Sequence, residues 1–258
     1  ALRLLAVVSL LGFAACGNDT NTDTQATGAA QAPGERWLYH DYPSGPYAVD
    51  PDWPRPIPGV APGWTWSSFG GVFAETEDKV WIAQRGLLPL PEGAEPWTSY
   101  AALPPELHRG NATGNADGVG STCQPTGNLR GWERRFDKSI LTLDAQGNTT
   151  DHWAELDPMF DDPGRCGRGP HQVKISPYDV EKHVWIIDDQ LHMIYKFTQD
   201  GELVYSHGEY GVPGRGPNNF ARPTDIAWLP DGTYFISDGY DGKRVAKFTP
   251  EGEFIMDW

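Results

Sequence analysis

Residues 223–258, PTDIAWLPDGTYFISDGYDGKRVAKFTPEGEFIMDW, decide the fold. Ile226–Leu229 is an apolar run, Pro230–Gly232 a Pro-Asp-Gly turn, and Thr233–Ser237 a run of β-formers. An Asp-Gly-Tyr corner follows, then Arg244–Phe248, a Pro-Glu-Gly turn and Phe254–Trp258. Proline presets the backbone of a tight turn and glycine supplies positive φ, so these dipeptides break the chain where the runs end. Four short strands joined by such turns describe one antiparallel meander. A lone sheet of this size is marginal in water, so it needs neighbours of its own kind.

The neighbours are in the sequence. His171–His207, HQVKISPYDVEKHVWIIDDQLHMIYKFTQDGELVYSH, repeats the pattern. Val184–Asp188 stands for Tyr234–Asp238, Ile194–Phe197 for Val245–Phe248 and Asp200-Gly201 for Glu251-Gly252, at an offset of 50 or 51 residues each time. A third copy is split. Gly70–Arg85 supplies its first two strands and Ser139–Trp153 its last two, with Gly147 in the turn. A constant offset across several landmarks marks a β-propeller with blades of roughly 40–50 residues. A β-sandwich needs no such repeating register. The fold class is therefore all-β, with blades at 70–153 (carrying an insertion, 87–138), 171–207 and 223–258, together a partial propeller over 70–258.

Working outward, residues 35–69 are dense in proline and aromatic side chains. They cannot pair as a central strand and read as an extended segment wrapped on the propeller. Residues 17–34 contain no large apolar side chain and read as a flexible tether. Residues 1–16, ALRLLAVVSLLGFAAC, form an apolar run too short for a membrane span, ending in small residues and a cysteine. That is an export signal, and Phe-Ala-Ala-Cys resembles a bacterial lipobox, implying cleavage before Cys16 and lipid on its sulfur. The alternative is an ordinary secretory signal cut near Ala15. The expected location is the bacterial cell envelope, as a periplasmic or extracellular lipoprotein whose contact with membrane is through the anchor alone.

The formal net charge of −15 argues against nucleic acid or an anionic lipid surface as a direct partner. Eleven tryptophans and thirty glycines suit a turn-rich β domain. Beyond Cys16 only Cys123 and Cys166 remain. In an oxidising compartment they can form one disulfide, and two free thiols is the alternative.

Three local motifs carry a resemblance. They are Gly-Gly-Val followed by Val-Trp-Ile-Ala-Gln-Arg-Gly (Gly70–Gly86); Pro-His-Gln-Val followed by Asp-Asp-Gln-Leu-His-Met-Ile-Tyr-Lys-Phe (Pro170–Phe197); and Pro-Thr-Asp-Ile-Ala followed by Ser-Asp-Gly-Tyr and Arg-Val-Ala-Lys-Phe (Pro223–Phe248). The repeat resembles the NHL repeat, and the three motifs together resemble the peptidyl-α-hydroxyglycine α-amidating lyases. The resemblance implies a six-bladed propeller with zinc and calcium near its channel, of which this chain shows three blades at the N-terminal side. It implies that His171 is one of three zinc-ligating histidines, that Arg85 grips the substrate and that Tyr240 is the base on the substrate hydroxyl. It also implies that the backbone carbonyls of Val72 and Val173 contribute to the calcium site. Gln84 stands where the animal enzymes have histidine, and Asp241 where they have a half-cystine.

These roles fit the chemistry. Splitting N–CH(OH)–COO⁻ into an amide and glyoxylate requires removal of the hydroxyl proton and stabilisation of the developing alkoxide, which zinc supplies. An arginine can clamp the carboxylate. A tyrosine acts as a base only beside positive charge, such as Arg85 or the metal. The expected function is thus a metal-dependent lyase acting on a peptide or a small hydroxy-acid-derived substrate. The alternative is a non-catalytic NHL propeller that binds a protein, peptide or glycan at the envelope. A calcium-dependent lactonase-type propeller would use carboxylates and asparagine as ligands, and the Pro-His start of the second repeat speaks against it. Of the other histidines, His183 and His207 read as exposed at strand ends and His192 as structural. Asp188 and Asp238 read as carboxylates that cap the blade corners.

Overall fold

The computed structural model describes residues 53–66, 69–89, 135–160 and 169–258. The signal segment with Cys16, the tether, much of 35–69, most of the insertion, and Cys123 and Cys166 lie outside the described residues. Among those described, three four-stranded antiparallel sheets follow one another along the chain as blades of a β-propeller. Blade 1 comprises β2 (Phe69–Thr76), β3 (Lys79–Gln84), β5 (Ile140–Leu143) and β6 (Thr149–His152). Blade 2 comprises β7 (Gln172–Ile175), β8 (Val184–Asp188), β9 (Met193–Phe197) and β10 (Leu203–His207). Blade 3 comprises β11 (Asp225–Trp228), β12 (Tyr234–Asp238), β13 (Arg244–Phe248) and β14 (Phe254–Asp257). A short helix, α1 (Asp157–Phe160), follows blade 1.

The turn between the third and fourth strands has one solution, used three times. Gly147, Gly201 and Gly252 take φ of +81°, +86° and +92°. Their amides donate to Asp144, Thr198 and Thr249 carbonyls at 2.9, 3.2 and 3.0 Å. An L side chain would be strained there, which is why the glycine recurs at the repeat offset.

Side-chain alternation stacks the sheets face to face. In β8, Val184 and Ile186 pack toward blade 1, in a core with Trp81, Ile140, Trp153, Val173 and Phe197. Trp185 and Ile187 on the opposite face join Ile226, Tyr234, Ile236 and Phe248 of blade 3. Burial on both faces explains why β8 reads as an unbroken apolar run. β12, covered on one face, alternates Tyr-Phe-Ile-Ser-Asp. Each large apolar chain so buried contributes roughly 1.5–3 kcal/mol. On the far face of blade 1, Trp53, Ile57, Trp64 and Trp66 pack against Ile82, Leu141 and Leu143. Strand β1 (Trp64–Trp66) pairs with β4 (Leu87–Pro89) there.

His183 and His207 correct their reading as exposed residues, since both are buried. His183 Nδ1 meets Asp179 at 2.7 Å. His207 is enclosed by the rings of Tyr205, Phe220 and Phe248, and burial holds its pKa below the ordinary imidazole value.

The inner strands of blades 1 and 2 approach so closely that no side chain fits between them at Gly71. A Cβ there would lie 2.5 Å from Gln172 Oε1, 2.6 Å from the Val173 nitrogen and 2.8 Å from Gln172 Cα. The backbone contacts cannot rotate away. Gly71→Ala is therefore expected to lower the unfolding free energy by about 1–3 kcal/mol, read from urea unfolding. An unchanged midpoint would show that the strands separate without cost.

Candidate active site

The ladder registers place the three blades in correspondence. Val72 faces Ile82, Val173 faces Ile186, and Ile226 faces Ile236. Two residues beyond, where the second strand ends, stand Gln84, Asp188 and Asp238, all fully buried. The next position holds Arg85, Asp189 and Gly239. Entry to the inner strand holds Gly70, His171 and Thr224. The second strand runs antiparallel to the first, so its end adjoins that entry. His171 N–H donates to the Ile187 carbonyl at 2.7 Å, and Thr224 N–H to the equivalent Ser237 carbonyl at 2.8 Å. Residues more than a hundred apart in sequence therefore meet at one end of the inner strands.

Arg85 and Asp189, at equivalent positions of adjacent blades, form an ion pair of 3.3 Å. Asp189 also meets Arg222 Nη2, at 2.7 Å. Burial alone would raise the Asp189 carboxyl, but Arg85 and Arg222 outweigh it and hold it below its ordinary value. The Arg222 guanidinium lies 4.1 Å from the centre of the Tyr240 ring. Tyr240 Oη in turn lies 3.3 Å from His171 Nε2, with the rings edge to face at 5.9 Å. The structure thus brings Arg85, His171 and Tyr240 to one place through two residues that sequence reasoning missed, Asp189 and Arg222. The cation beside Tyr240 is Arg222, and Arg85 reaches the group through Asp189.

Burial holds His171 below the ordinary imidazole value. Asp189 pulls the other way, Arg85 and Arg222 reinforce the shift, and the Thr224 backbone opposes it. The neutral ring is the form that binds a metal, and its Nδ1 is buried without a hydrogen bond of ordinary geometry. His171 thus has the chemistry of a metal-ligating imidazole. Among the described residues, two other groups bring histidine and carboxylate atoms within 4.8 Å of one another: Asp137, His152 and Asp157, and Asp179, Glu181 and His183. In the first, the ammonium of Lys138 already sits 3.1 Å from His152 Nδ1. Neither contains His171. Val72 and Val173 occupy equivalent places on the neighbouring inner strands, where main-chain carbonyls are oxygen donors of the type calcium takes.

The corner carboxylates differ between blades. Asp238 Oδ1 accepts from Ala221 N–H at 2.8 Å, and its Oδ2 meets Arg244 Nε at 3.0 Å. Asp188 Oδ1 accepts from Gln190 and Leu191 N–H, each at 2.9 Å, while its Oδ2 has no partner among the described residues. Burial, reinforced by Asp189 beside it, outweighs the Leu191 and Gln190 amides and the more distant Arg85, and the Asp188 carboxyl is pushed up to about 7.

No family model matches the chain. A stretch of 92 residues, 34% of the chain, is 35% identical to peptidyl-alpha-hydroxyglycine alpha-amidating lyase 1 of Drosophila melanogaster. A stretch of 93 residues is 37% identical to the peptidyl-glycine alpha-amidating monooxygenase of Mus musculus. The matches span 16% of the fly protein and 9% of the mouse protein. Similarity to the amidating lyases is therefore present over about a third of the chain. Among solved structures, virginiamycin B lyase from Staphylococcus aureus aligns over 74% of this chain and 40% of its own, at 14% identity and a TM-score of 0.37. A superposition that loose carries nothing about chemistry.

The unpaired Asp188 carboxyl makes stability depend on pH. Its native value is raised from 3.8 to about 7. Between those values the unfolded chain releases a proton that the native protein keeps, so the contribution to stability falls as pH rises and levels off above 7. Asp188→Asn preserves the Oδ1 acceptor and removes the titration. The Tm of the variant relative to wild type is expected to climb between pH 4 and pH 7. A difference that stays flat across this window would show that Asp188 is ionised in the native state.

Proposed function

We propose that the protein is a metal-dependent lyase of the peptidyl-α-hydroxyglycine amidating type, cleaving a carbinolamide C–N bond to an amide and glyoxylate. The observation that carries this reading is the contact of the Tyr240 hydroxyl with His171 Nε2 at 3.3 Å, beside Arg222 and within one carboxylate of Arg85. Similarity to amidating lyases over a third of the chain supports the same substrate class.

In this reading Arg85 binds the carboxylate of the substrate. A guanidinium has five N–H donors, and among the described residues Arg85 makes one hydrogen bond, to Asp189. A substrate carboxylate can therefore be taken without breaking the Asp189–Arg222 pair. Tyr240 accepts the proton of the adjacent hydroxyl. The C–O bond gains double-bond character, the C–N bond breaks with its electron pair going to nitrogen, and a proton completes the amide. His171 would hold a divalent metal in part, and such a metal would supply Lewis-acid stabilisation of the developing negative charge. The Val72 and Val173 carbonyls would contribute oxygen ligands to a calcium ion. The protein works outside the cytoplasm, tethered through Cys16.

The test is glyoxylate release from a peptide ending in α-hydroxyglycine, with metal content measured on the same full-length protein. Wild type is expected to hold zinc stoichiometrically and to turn over. Tyr240→Phe is expected to lose about 10²–10⁴-fold in kcat while keeping its metal and its Tm, because the side chain is 54% exposed. His171→Ala is expected to lose both metal and turnover. A metal-free, inactive wild type would overturn the lyase reading and leave a propeller used for binding.

A further inference from the structure

We propose that Arg222 is a positioning residue for Tyr240, and that Asp189 divides the labour between two arginines by holding one and leaving the other exchangeable. This rests on the lyase reading for what Tyr240 does, and on geometry alone for what Arg222 does.

The two arginines are held unequally. Arg222 Nη2 lies 2.7 Å from Asp189 Oδ2. With the Gln190 amide turned so that its oxygen faces Arg222, that oxygen accepts from Nη2 and Nε at 2.9 and 3.0 Å. The edge of the guanidinium is thus gripped at three points and its flat face is left for the Tyr240 ring at 4.1 Å. Arg85, by contrast, reaches Asp189 at 3.3 Å through one nitrogen. A charge-assisted bond is ordinarily about 2.7–2.9 Å, so the buried carboxylate is committed to Arg222 and only loosely to Arg85.

The backbone points to the same residue. Arg222 takes φ +68°, and the equivalent position, three residues before the inner strand of blade 2, is Gly169, at φ +79°. The fold demands a left-handed residue here. Blade 2 meets the demand with glycine, whereas blade 3 keeps an arginine in a backbone conformation that strains an L side chain. The strain is shared along a contact chain. Arg222 N–H donates to His192 Nδ1 at 3.1 Å, His192 has φ +60°, and Tyr240 has φ +24°. Arg222 thus touches two further non-glycine residues with left-handed backbones, His192 through its amide and the half-exposed Tyr240 through its guanidinium. Without Arg222, little holds that ring against His171.

The experiment compares Arg222→Gln, Arg222→Lys and Arg85→Gln in the full-length protein with two readouts. The first is kcat and KM for a peptide ending in α-hydroxyglycine. Arg222→Gln is expected to lower kcat by about 10²-fold, the cost of a displaced catalytic group, with KM within about threefold. Arg222→Lys keeps a cation on Asp189 but loses the fork, and is expected to recover about tenfold of that loss. Arg85→Gln is expected to raise KM by about tenfold or more. The second readout is the ¹⁹F resonance of 3-fluorotyrosine at position 240. It is expected to shift and sharpen in Arg222→Gln as the ring is released, and to stay in place in Arg85→Gln. Arg222→Lys, with the cation retained on Asp189, serves if the glutamine variant does not fold. A wild-type resonance in the Arg222 variants, or the same pattern of KM and kcat changes for Arg222→Gln and Arg85→Gln, would overturn the proposal. A wild type that releases no glyoxylate would overturn the lyase reading instead, and the resonance comparison would still decide whether Arg222 places Tyr240.

Discussion

The close approach of the inner strands governs the rest of the molecule. Sheets stacked face to face, with Trp81, Val173 and Ile186 between one pair and Trp185, Ile226 and Tyr234 between the next, bring their first strands together. Gly70 and Gly71 allow the contact by presenting no Cβ to Pro170, His171 and Val173. Because every second strand runs back toward the entry of its first, this packing also gathers the second-strand ends of successive blades. A site composed of Arg85, Asp189, His171 and Tyr240 follows from that geometry, although no two of these residues lie on the same strand.

Charge determines what the gathered residues can do. Asp189 is a buried carboxylate that tolerates its position because two guanidinium groups flank it. The same carboxylate prevents the two cations from repelling one another apart. One position earlier in the chain, Asp188 lacks such a partner. Its counterpart Asp238 has Arg244, which also reaches the carbonyls of Arg215, Gly216 and Asn219 and so ties down the segment before blade 3. Equivalent corners of one fold thus hold a carboxylate bonded only by main-chain amides in one blade and an ion pair in the next.

The blade grammar was legible because turn chemistry is local. Pro-Asp-Gly, Asp-Gly and the recurrent Gly147, Gly201 and Gly252 mark where strands stop, and the apolar run of β8 against the alternation of β12 tells which sheet is covered on both faces. The site was legible in part. Arg85, His171 and Tyr240 came from motifs, and the structure brings them together. Asp189 and Arg222 escaped because pairing across blades leaves no local pattern. The available signal was positional: an aspartate where the next repeat has Gly239, and an arginine where the preceding one has Gly169. His183 and His207 were misread as exposed because a strand end looks solvated in sequence, while Asp179 in one case and the rings of Phe220 and Phe248 in the other close over them.

Blade 1 is assembled from two distant pieces of chain. β3 and β5 pair directly, Val80 with Leu143 through Ala83 with Ile140, and just outside this ladder Leu87 and Arg135 exchange backbone hydrogen bonds at 2.7 and 3.1 Å. The two ends of the interruption are therefore clasped before the chain departs. Closing a longer loop at a fixed clasp costs only logarithmically more entropy. A longer or shorter segment at this clasp would therefore change the entropy of closing blade 1 only a little.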